Sequence, residues 1–189
     1  MKYFIFLVLA KVLLSQNTAY EKFQKYVQSP NGCVLWIEYY QSYFDDEFIS
    51  SGILYAKEKM YIYDNKKQYI KYEDGYITTI NKPNKQVVYD LINKKDVTIF
   101  DILIGNNKNI YIENSITENN QIRIPFSIEI WGIKGSIWIN QVDGSPEKVA
   151  FIQDKDIKVH IDIKSSVNSS EFNPPTYDIL EYEVINLIE

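Results

Sequence analysis

The sequence has very little histidine and cysteine: it holds one of each, His160 and Cys33. A single cysteine excludes an internal disulfide. A Cys-His or Ser-His catalytic site would also need its histidine to be oriented by a third group. His160 lies on the polar side of a predicted strand, where we expect a solvated side chain. Cys33 precedes Val34 and Leu35, so we expect it to pack as a small hydrophobic residue.

Glycine is also scarce, with 7 residues, and none of them forms a glycine-rich phosphate loop ahead of a predicted helix. Cys, His and carboxylate residues are not clustered at metal-ligand spacing. Asp45, Asp46 and Glu47 offer the carboxylates that a glycosidase needs, but adjacent side chains on a turn seldom converge on one bond. We therefore expect an exposed acidic hairpin tip, and we predict a protein that is not an enzyme, with no catalytic residue, metal or cofactor.

Basic residues are in the minority, with 20 Lys and Arg against 25 Asp and Glu, for a formal net charge of −5. Such a chain is repelled by phosphates, which argues against nucleic-acid binding and against durable electrostatic binding to membranes. The chain has 189 residues, 46% of them hydrophobic, without a visible linker or repeat. These features predict one globular domain.

Long hydrophobic runs are missing, and the nearest approach to one lies at the start. Met1 and Lys2 precede an apolar run from Tyr3 to Ser15, which Lys11 interrupts. The run is too short for a membrane-spanning helix and is typical of a secretory signal peptide. We expect residues 1–15 to be removed on export, although Ala10 is a second possible cleavage site. Residues 16–189 would then form the mature domain.

The stretch from Ile49 to Asp90 is rich in Ile, Val and Tyr and is divided by turn sequences such as Asp74-Gly75 and Lys82-Pro83-Asn84. Asp, Asn, Gly and Pro favour the backbone angles of tight turns, so this stretch predicts an antiparallel meander. In the run from Gln68 to Glu73, alternate residues fall on a largely apolar face and on a polar face. Tyr69 is on the face expected to meet water.

Further strands are predicted on both sides of this meander. The run from Val34 to Phe44 is apolar on both sides, which predicts burial on both faces. From Ile122 to Ile130, and again from Ile157 to Ile163, hydrophobic and polar residues alternate, and a hairpin is predicted at residues 143–146. The 16 tyrosines are typical of half-buried strands, although they also permit a sugar-binding platform.

Two helical segments are predicted. The first runs from residue 17 or 18 to about Gln28, with Tyr20, Phe23 and Val27 on one apolar stripe. The second spans residues 96–104, with Asp96 as its cap and Gly105 at its end, and residues 106–120 are predicted to be a loop. In total the pattern predicts about ten antiparallel strands and two short helices, in one twisted sheet that curls around a core.

Several of these motifs come in an order that resembles the outer-membrane lipoprotein carrier family, LolA. They are Gly52-x-Leu54, a Lys-rich turn before Met60, Asp74-Gly75, Pro83 and Gln86-Val87, with Tyr40-Gln41 before them and Phe172-Asn173-Pro174-Pro175 after them. The resemblance implies a mainly β fold with short α-helices, in which a single antiparallel sheet forms an incomplete, open β-barrel covered by a helical lid. It also implies a monomer in the periplasm.

The function that the resemblance implies is that of a carrier. Such a protein shelters the acyl chains of lipoproteins in a hydrophobic cavity between the inner and outer membranes. Its implied partners are acylated lipoproteins, an inner-membrane lipoprotein-releasing ABC transporter and an outer-membrane lipoprotein acceptor. In the family an arginine in a basic turn is thought to hold the lid closed. That turn has no arginine here, so its counterparts are Lys57, Glu58 and Lys59.

The predicted cavity residues share one property: each lies on an apolar strand face or on the apolar stripe of the first helix. They are Tyr20, Phe23, Val27, Ile70, Tyr72, Ile124, Phe126, Ile128, Val159 and Ile161. The alternative hypothesis is a non-catalytic exported β-module that binds another hydrophobic ligand or a glycan.

Overall fold

A computed structural model describes residues 18–44, 46–92, 97–106, 109–154, 157–168 and 173–188 of the chain. The predicted signal peptide of residues 1–15 and Asp45 of the acidic tip lie outside these ranges. Within them, no helix has both the length and the apolar character needed to cross a membrane.

One sheet of thirteen strands organises the described part of the chain. The strands are β1 Cys33–Tyr43, β2 Asp46–Lys57, β3 Met60–Asn65, β4 Gln68–Glu73, β5 Tyr76–Asn81, β6 Gln86–Leu91, β7 Tyr111–Ile112, β8 Ile116–Glu118, β9 Gln121–Ile128, β10 Ile133–Asn140, β11 Pro146–Asp154, β12 Ile157–Asn168 and β13 Glu183–Asn186. Their order is β13-β6-β5-β4-β3-β2-β1-β12-β11-β10-β9-β7, and β8 also pairs with β9. The sheet is open, since the strands at its two ends do not pair, and this confirms the predicted mainly β, open architecture.

Three short strands differ from the prediction. β7 and β8 lie in the stretch 106–120 that was expected to be a loop, where they pair with β9. β13, near the C-terminal end of the chain, pairs in parallel with β6, so the sheet is not purely antiparallel. The pairing of β13 depends on a neighbour about one hundred residues away, whereas β7 and β8 are only two and three residues long, too short for alternation to mark them.

Two helices lie on the concave side of the sheet. Helix α1 covers residues 18–27 as predicted, with Tyr20, Phe23 and Val27 buried. Helix α2 is Ile99–Leu103, shorter than predicted, and its N-cap is Thr98. Thr98 and Asp101 form a capping box, since each side chain accepts a hydrogen bond from the other residue's backbone N–H. The predicted cap, Asp96, lies outside the described residues.

The outer end of the β1–β2 hairpin is more exposed than predicted. Tyr43 is 50% exposed and Phe44 is 67% exposed, and Trp36 in the first half of β1 is 38% exposed, so the prediction of burial on both faces is wrong at these three residues. At the outer end the reason is that β3 pairs with β2 only from Gly52 to Lys57, which leaves the first part of β2 without a second neighbour. Ile130, predicted to continue the apolar face of β9, lies instead in a 3₁₀ turn and is exposed.

Hydrophobic side chains are buried on both sides of the sheet. The main core lies on the concave side between the sheet and the two helices. A smaller cluster, the convex cluster, consists of Ile62, Tyr69, Ile80 and Val87, and side chains of the segment 173–188 pack on it. Tyr69 is therefore buried, and the expectation of a wet face was wrong there because that segment covers it.

Candidate functional site

The concave side of the sheet divides into two halves with different contents. The filled half comprises β9–β12, whose side chains pack directly against each other and against α1. Ile124, Phe126, Ile128, Ile137 and Val149 have almost no exposed surface. The hollow half comprises β1–β5 beside α2, where a cavity opens between the sheet and the helix. Room for a ligand therefore exists in the hollow half.

The cavity has a volume of about 650 Å³, within the range of about 300–1,000 Å³ usual for sites that enclose one small molecule. Its apolar wall is formed by Ile37, Tyr39, Phe48, Tyr63, Ile70, Pro83, Ile99, Phe100, Leu103 and Ile161. Polar side chains are contributed by Ser50, Asn65, Lys67, Gln68, Asn81 and Asn84, largely at the ends of β3–β5 and the turns between them. A ligand with an apolar body and a polar end fits this division.

Gly52 shapes the wall of the cavity through a close approach. A Cβ atom at this position would lie 2.6 Å from the ring of Tyr63 and 2.7 Å from the carbonyl oxygen of Asp64. Only glycine allows the Tyr63 ring to lie this close to β2. The Gly52-x-Leu54 motif therefore has a structural explanation in the position of one cavity-lining ring.

Helix α2 forms the wall of the cavity that faces the sheet. The ring of Phe100 lies 4.9 Å from the ring of Tyr61 and 5.3 Å from the ring of Tyr63, measured between centroids. Tyr61 in turn stacks on Tyr72 at 5.0 Å. Ring contacts of this kind contribute roughly 0.5–1.5 kcal/mol each beyond the burial of area. Phe100 therefore docks the helix on β3.

Side chains of α1 and of Gln28, which directly follows it, hold the chain at the C-terminal end of α2. The Gly105 carbonyl oxygen accepts hydrogen bonds from the Gln24 amide at 2.8 Å, the Gln28 amide at 3.0 Å and the Tyr20 hydroxyl at 3.2 Å. The Gln28 amide also reaches the Ile104 carbonyl at 3.1 Å. Orphan carbonyls at a helix end need such partners. We call this arrangement the glutamine clamp.

The ten predicted cavity residues lie in three places. Ile70 and Ile161 line the cavity, and Tyr72 lies behind its wall, stacked on Tyr61. The other seven are packed in the main core: Tyr20, Phe23, Val27, Ile124, Phe126, Ile128 and Val159. The structure brings the ten residues to one side of the sheet, and a ligand-binding role for any of them stays a prediction.

The predicted lid-closing turn connects β2 and β3. Glu58 has a left-handed backbone with φ +54°, and both Glu58 and Lys59 are exposed. Neither of these two side chains makes a hydrogen bond or ion pair to a residue that the structure describes, and Lys57 is half-buried beside them. The role of the turn stays a prediction, whereas the glutamine clamp is a contact that the sequence had not suggested.

The cavity is not lined by His160, Cys33, Asp46 or Glu47. The ring of His160 stacks on Tyr40 at 4.3 Å. Cys33 is fully buried, and burial raises the pKa of its thiol to about 12, so it stays protonated at neutral pH. Asp46 and Glu47 are exposed. No group of three metal-ligating side chains occurs among the residues described.

Most of the cavity's polar residues were missed by the sequence reasoning. Asn65, Lys67 and Asn84 belong to segments that the sequence marks as turns, and turns alone do not indicate a ligand site. Only Gln68 could have been recognised from the sequence as a polar residue of the cavity, because it shares a strand face with the predicted cavity residue Ile70. That face is apolar inside the cavity and polar at its opening.

No protein-family profile matches the chain, and no curated protein matches its sequence. Among solved structures, an uncharacterized conserved protein from Thermus thermophilus is 7% identical, with a TM-score of 0.56 over 90% of this chain and 98% of that chain. A LolA superfamily protein from Nitrosomonas europaea is 9% identical, with a TM-score of 0.46 over 80% of this chain and 92% of that chain. A DUF1329 family protein from Desulfovibrio piger is 7% identical, with a TM-score of 0.43 over 80% of this chain and 92% of that chain. At such identities the Thermus likeness shows a shared fold and does not identify a ligand.

Proposed function

We propose that this protein is a periplasmic carrier that shelters an acyl chain of a lipoprotein in the cavity of the hollow half. The observation that carries the proposal is an apolar cavity of about 650 Å³ walled on one side by the short helix α2. The motif order that resembles the LolA family supports the same function. Under this proposal the protein is exported, acts as a monomer and has no catalytic role.

The energetics of acyl chains explain why a carrier is needed. Each CH₂ group moved from hydrocarbon to water costs about 0.8 kcal/mol, so a lipidated protein does not cross an aqueous compartment unsheltered. Helix α2 is held in place by ring contacts and hydrogen bonds, and under this proposal it is the wall that moves when an acyl chain enters or leaves. Loading would draw on an inner-membrane ABC transporter, and unloading on an outer-membrane lipoprotein acceptor.

A second candidate is a non-catalytic exported module for another hydrophobic ligand or for a glycan. The amide side chains of Asn65, Gln68, Asn81 and Asn84 at the cavity favour it, since amides are suited to neutral polar groups such as hydroxyls. In this case the apolar wall would hold a single chain or a ring, and no transfer between membranes would follow.

Binding of a fluorescent fatty acid tests the proposal first. Ile70→Trp places a large ring in the cavity and should reduce binding at least tenfold, whereas Val142→Trp, at a residue that is 85% exposed, should leave it unchanged. Transfer of a labelled lipoprotein between two populations of membrane vesicles tests the second step. Absence of probe binding by the unmodified protein would overturn the proposal. Probe binding without lipoprotein transfer would favour the second candidate, and a glycan array would then test for sugars.

A further inference from the structure

Four lysines lie in the two turns beside the polar end of the cavity. In the β3–β4 turn these are Lys66 and Lys67, and in the β5–β6 turn they are Lys82 and Lys85. The ammonium group of Lys82 is 2.7 Å from an oxygen of Asp64, and that of Lys85 is 3.0 Å from an oxygen of Glu181. Lys67 lines the cavity and has no carboxylate partner within the described part of the chain.

The cavity lining offers hydrogen-bond donors and no negative charge. None of its lining residues is an Asp or a Glu. The side-chain amides of Gln68 and Asn84 form no hydrogen bond with any residue that the structure describes. The turn that carries Lys67 is held in place, because the Asn65 side-chain oxygen accepts hydrogen bonds from the backbone N–H groups of Lys67 and Gln68 at 2.8 and 2.6 Å. The backbone that carries Lys67 and Gln68 is therefore fixed, and Asn84 stands on the separate β5–β6 turn.

The acidic hairpin tip is too distant to cancel this charge. Asn65 pairs with Gly52 on β2, and Asp46 precedes Gly52 by six residues along the same strand. At roughly 3.3 Å per residue this places Asp46 about 20 Å along the strand. The Debye length at physiological salt is about 8 Å, so the two regions are electrostatically separate.

We infer that the cavity takes an amphiphile with one acyl chain and an anionic head group, a carboxylate or a phosphate, and that Lys67 is the residue that selects the head group. The acyl chain lies along Ile37, Ile70 and Phe100, and the head group lies at Lys67 with Gln68 and Asn84 as donors. This inference rests on the proposed binding of an acyl chain. It goes beyond that proposal by naming the charge of the group beside the chain.

Three lipids that share a palmitoyl chain test the inference: palmitate, palmitoyl lysophosphatidic acid and monopalmitoylglycerol, which is neutral. Each lipid is titrated, below its own critical micelle concentration, against the protein of residues 16–189. Binding is measured by displacement of a neutral acyl fluorophore. We expect the unmodified protein to bind at least one anionic lipid about fivefold more tightly than the neutral one at low salt. That preference should shrink as salt is added, since an exposed ion pair is screened.

Lys67→Met keeps the apolar stem of the side chain and removes its charge. It should abolish the preference and leave binding of monopalmitoylglycerol unchanged, whereas Lys66→Met, on the neighbouring residue outside the lining, should keep the preference. Comparing the affinity for palmitate with that for palmitoyl lysophosphatidic acid shows whether the site prefers a carboxylate or a phosphate head group. Equal binding of all three lipids, or a preference that survives Lys67→Met, would overturn the inference while the proposed function stands. Failure of every lipid to bind would overturn both.

Discussion

The filled and hollow halves of the sheet differ in how many of their faces are covered. In the filled half the concave side is packed, while the convex side carries polar residues such as Arg123 and Lys158. In the hollow half the concave side holds a cavity, and the convex side is covered by the segment 173–188. The hollow half thus buries residues such as Leu54 and Tyr61 beside the cavity and gains further buried area on its convex side. This arrangement allows a cavity to persist without leaving the strands unsupported.

The largest expected effect comes from removing a side chain of the filled half. Phe126 is 1% exposed, so Phe126→Ala should lower the free energy of unfolding by about 3–5 kcal/mol. Ile70→Ala in the hollow half should cost clearly less, about 1 kcal/mol, because one side of Ile70 already meets an open cavity. Urea denaturation of both variants measures the difference. Equal losses would show that the cavity wall is packed as tightly as the filled half.

The second prediction concerns the cover behind the hollow half. The ring of Tyr177 lies 5.1 Å from the ring of Tyr69, and its hydroxyl donates a hydrogen bond of 2.8 Å to Asp64. Tyr177→Ala removes both contacts and should destabilise the protein by about 2 kcal/mol. Amide hydrogen exchange should accelerate in β3–β6 more than in β9–β12.

Tyr177→Phe is the matched control, since it keeps the ring and removes only the hydroxyl; it should cost about 1 kcal/mol. If Tyr177→Ala accelerated exchange equally across the whole sheet, the two halves would not be independent in stability.

Local patterns were sufficient to predict the meander and the filled half. The alternation in β9 and β12 gave the buried face of Ile124, Phe126, Val159 and Ile161 correctly, because a strand with one buried face imposes a period of two. The turn residues at Asp74-Gly75 marked a hairpin for the same kind of local reason.

The position of the cavity was beyond such reasoning. A hydrophobic residue that lines a cavity and one that fills a core have the same sequence pattern, since both are shielded from bulk water in the same way. Whether Ile70 meets open space or another side chain depends on how α2 and α1 sit, and those positions depend on contacts across about eighty residues, such as Gln24 to Gly105. The burial of Tyr69 under residues 173–188 is a second long-range effect of this kind.

The last prediction concerns the glutamine clamp, which joins the helix of the filled half to the helix of the hollow half. Gln24→Ala combined with Gln28→Ala removes three hydrogen bonds to the carbonyls of Ile104 and Gly105. Each bond contributes about 0.5–1.5 kcal/mol net of its exchange with water, and the Gln28 amide nitrogen shares its two bonds, so we expect a loss of about 1–2 kcal/mol. Because this loss falls on the attachment of α2, hydrogen exchange at residues 99–106 should accelerate while that of β9–β12 stays unchanged. Release of a bound acyl probe should be about tenfold faster if about 1.4 kcal/mol of the loss favours the open state.

Lys25→Ala, on the exposed side of α1, is the control and should change neither hydrogen exchange nor probe release. A double variant with normal release but slower association would show that α2 is not the wall that opens, and the turn of Lys57, Glu58 and Lys59 would then be the next place to test.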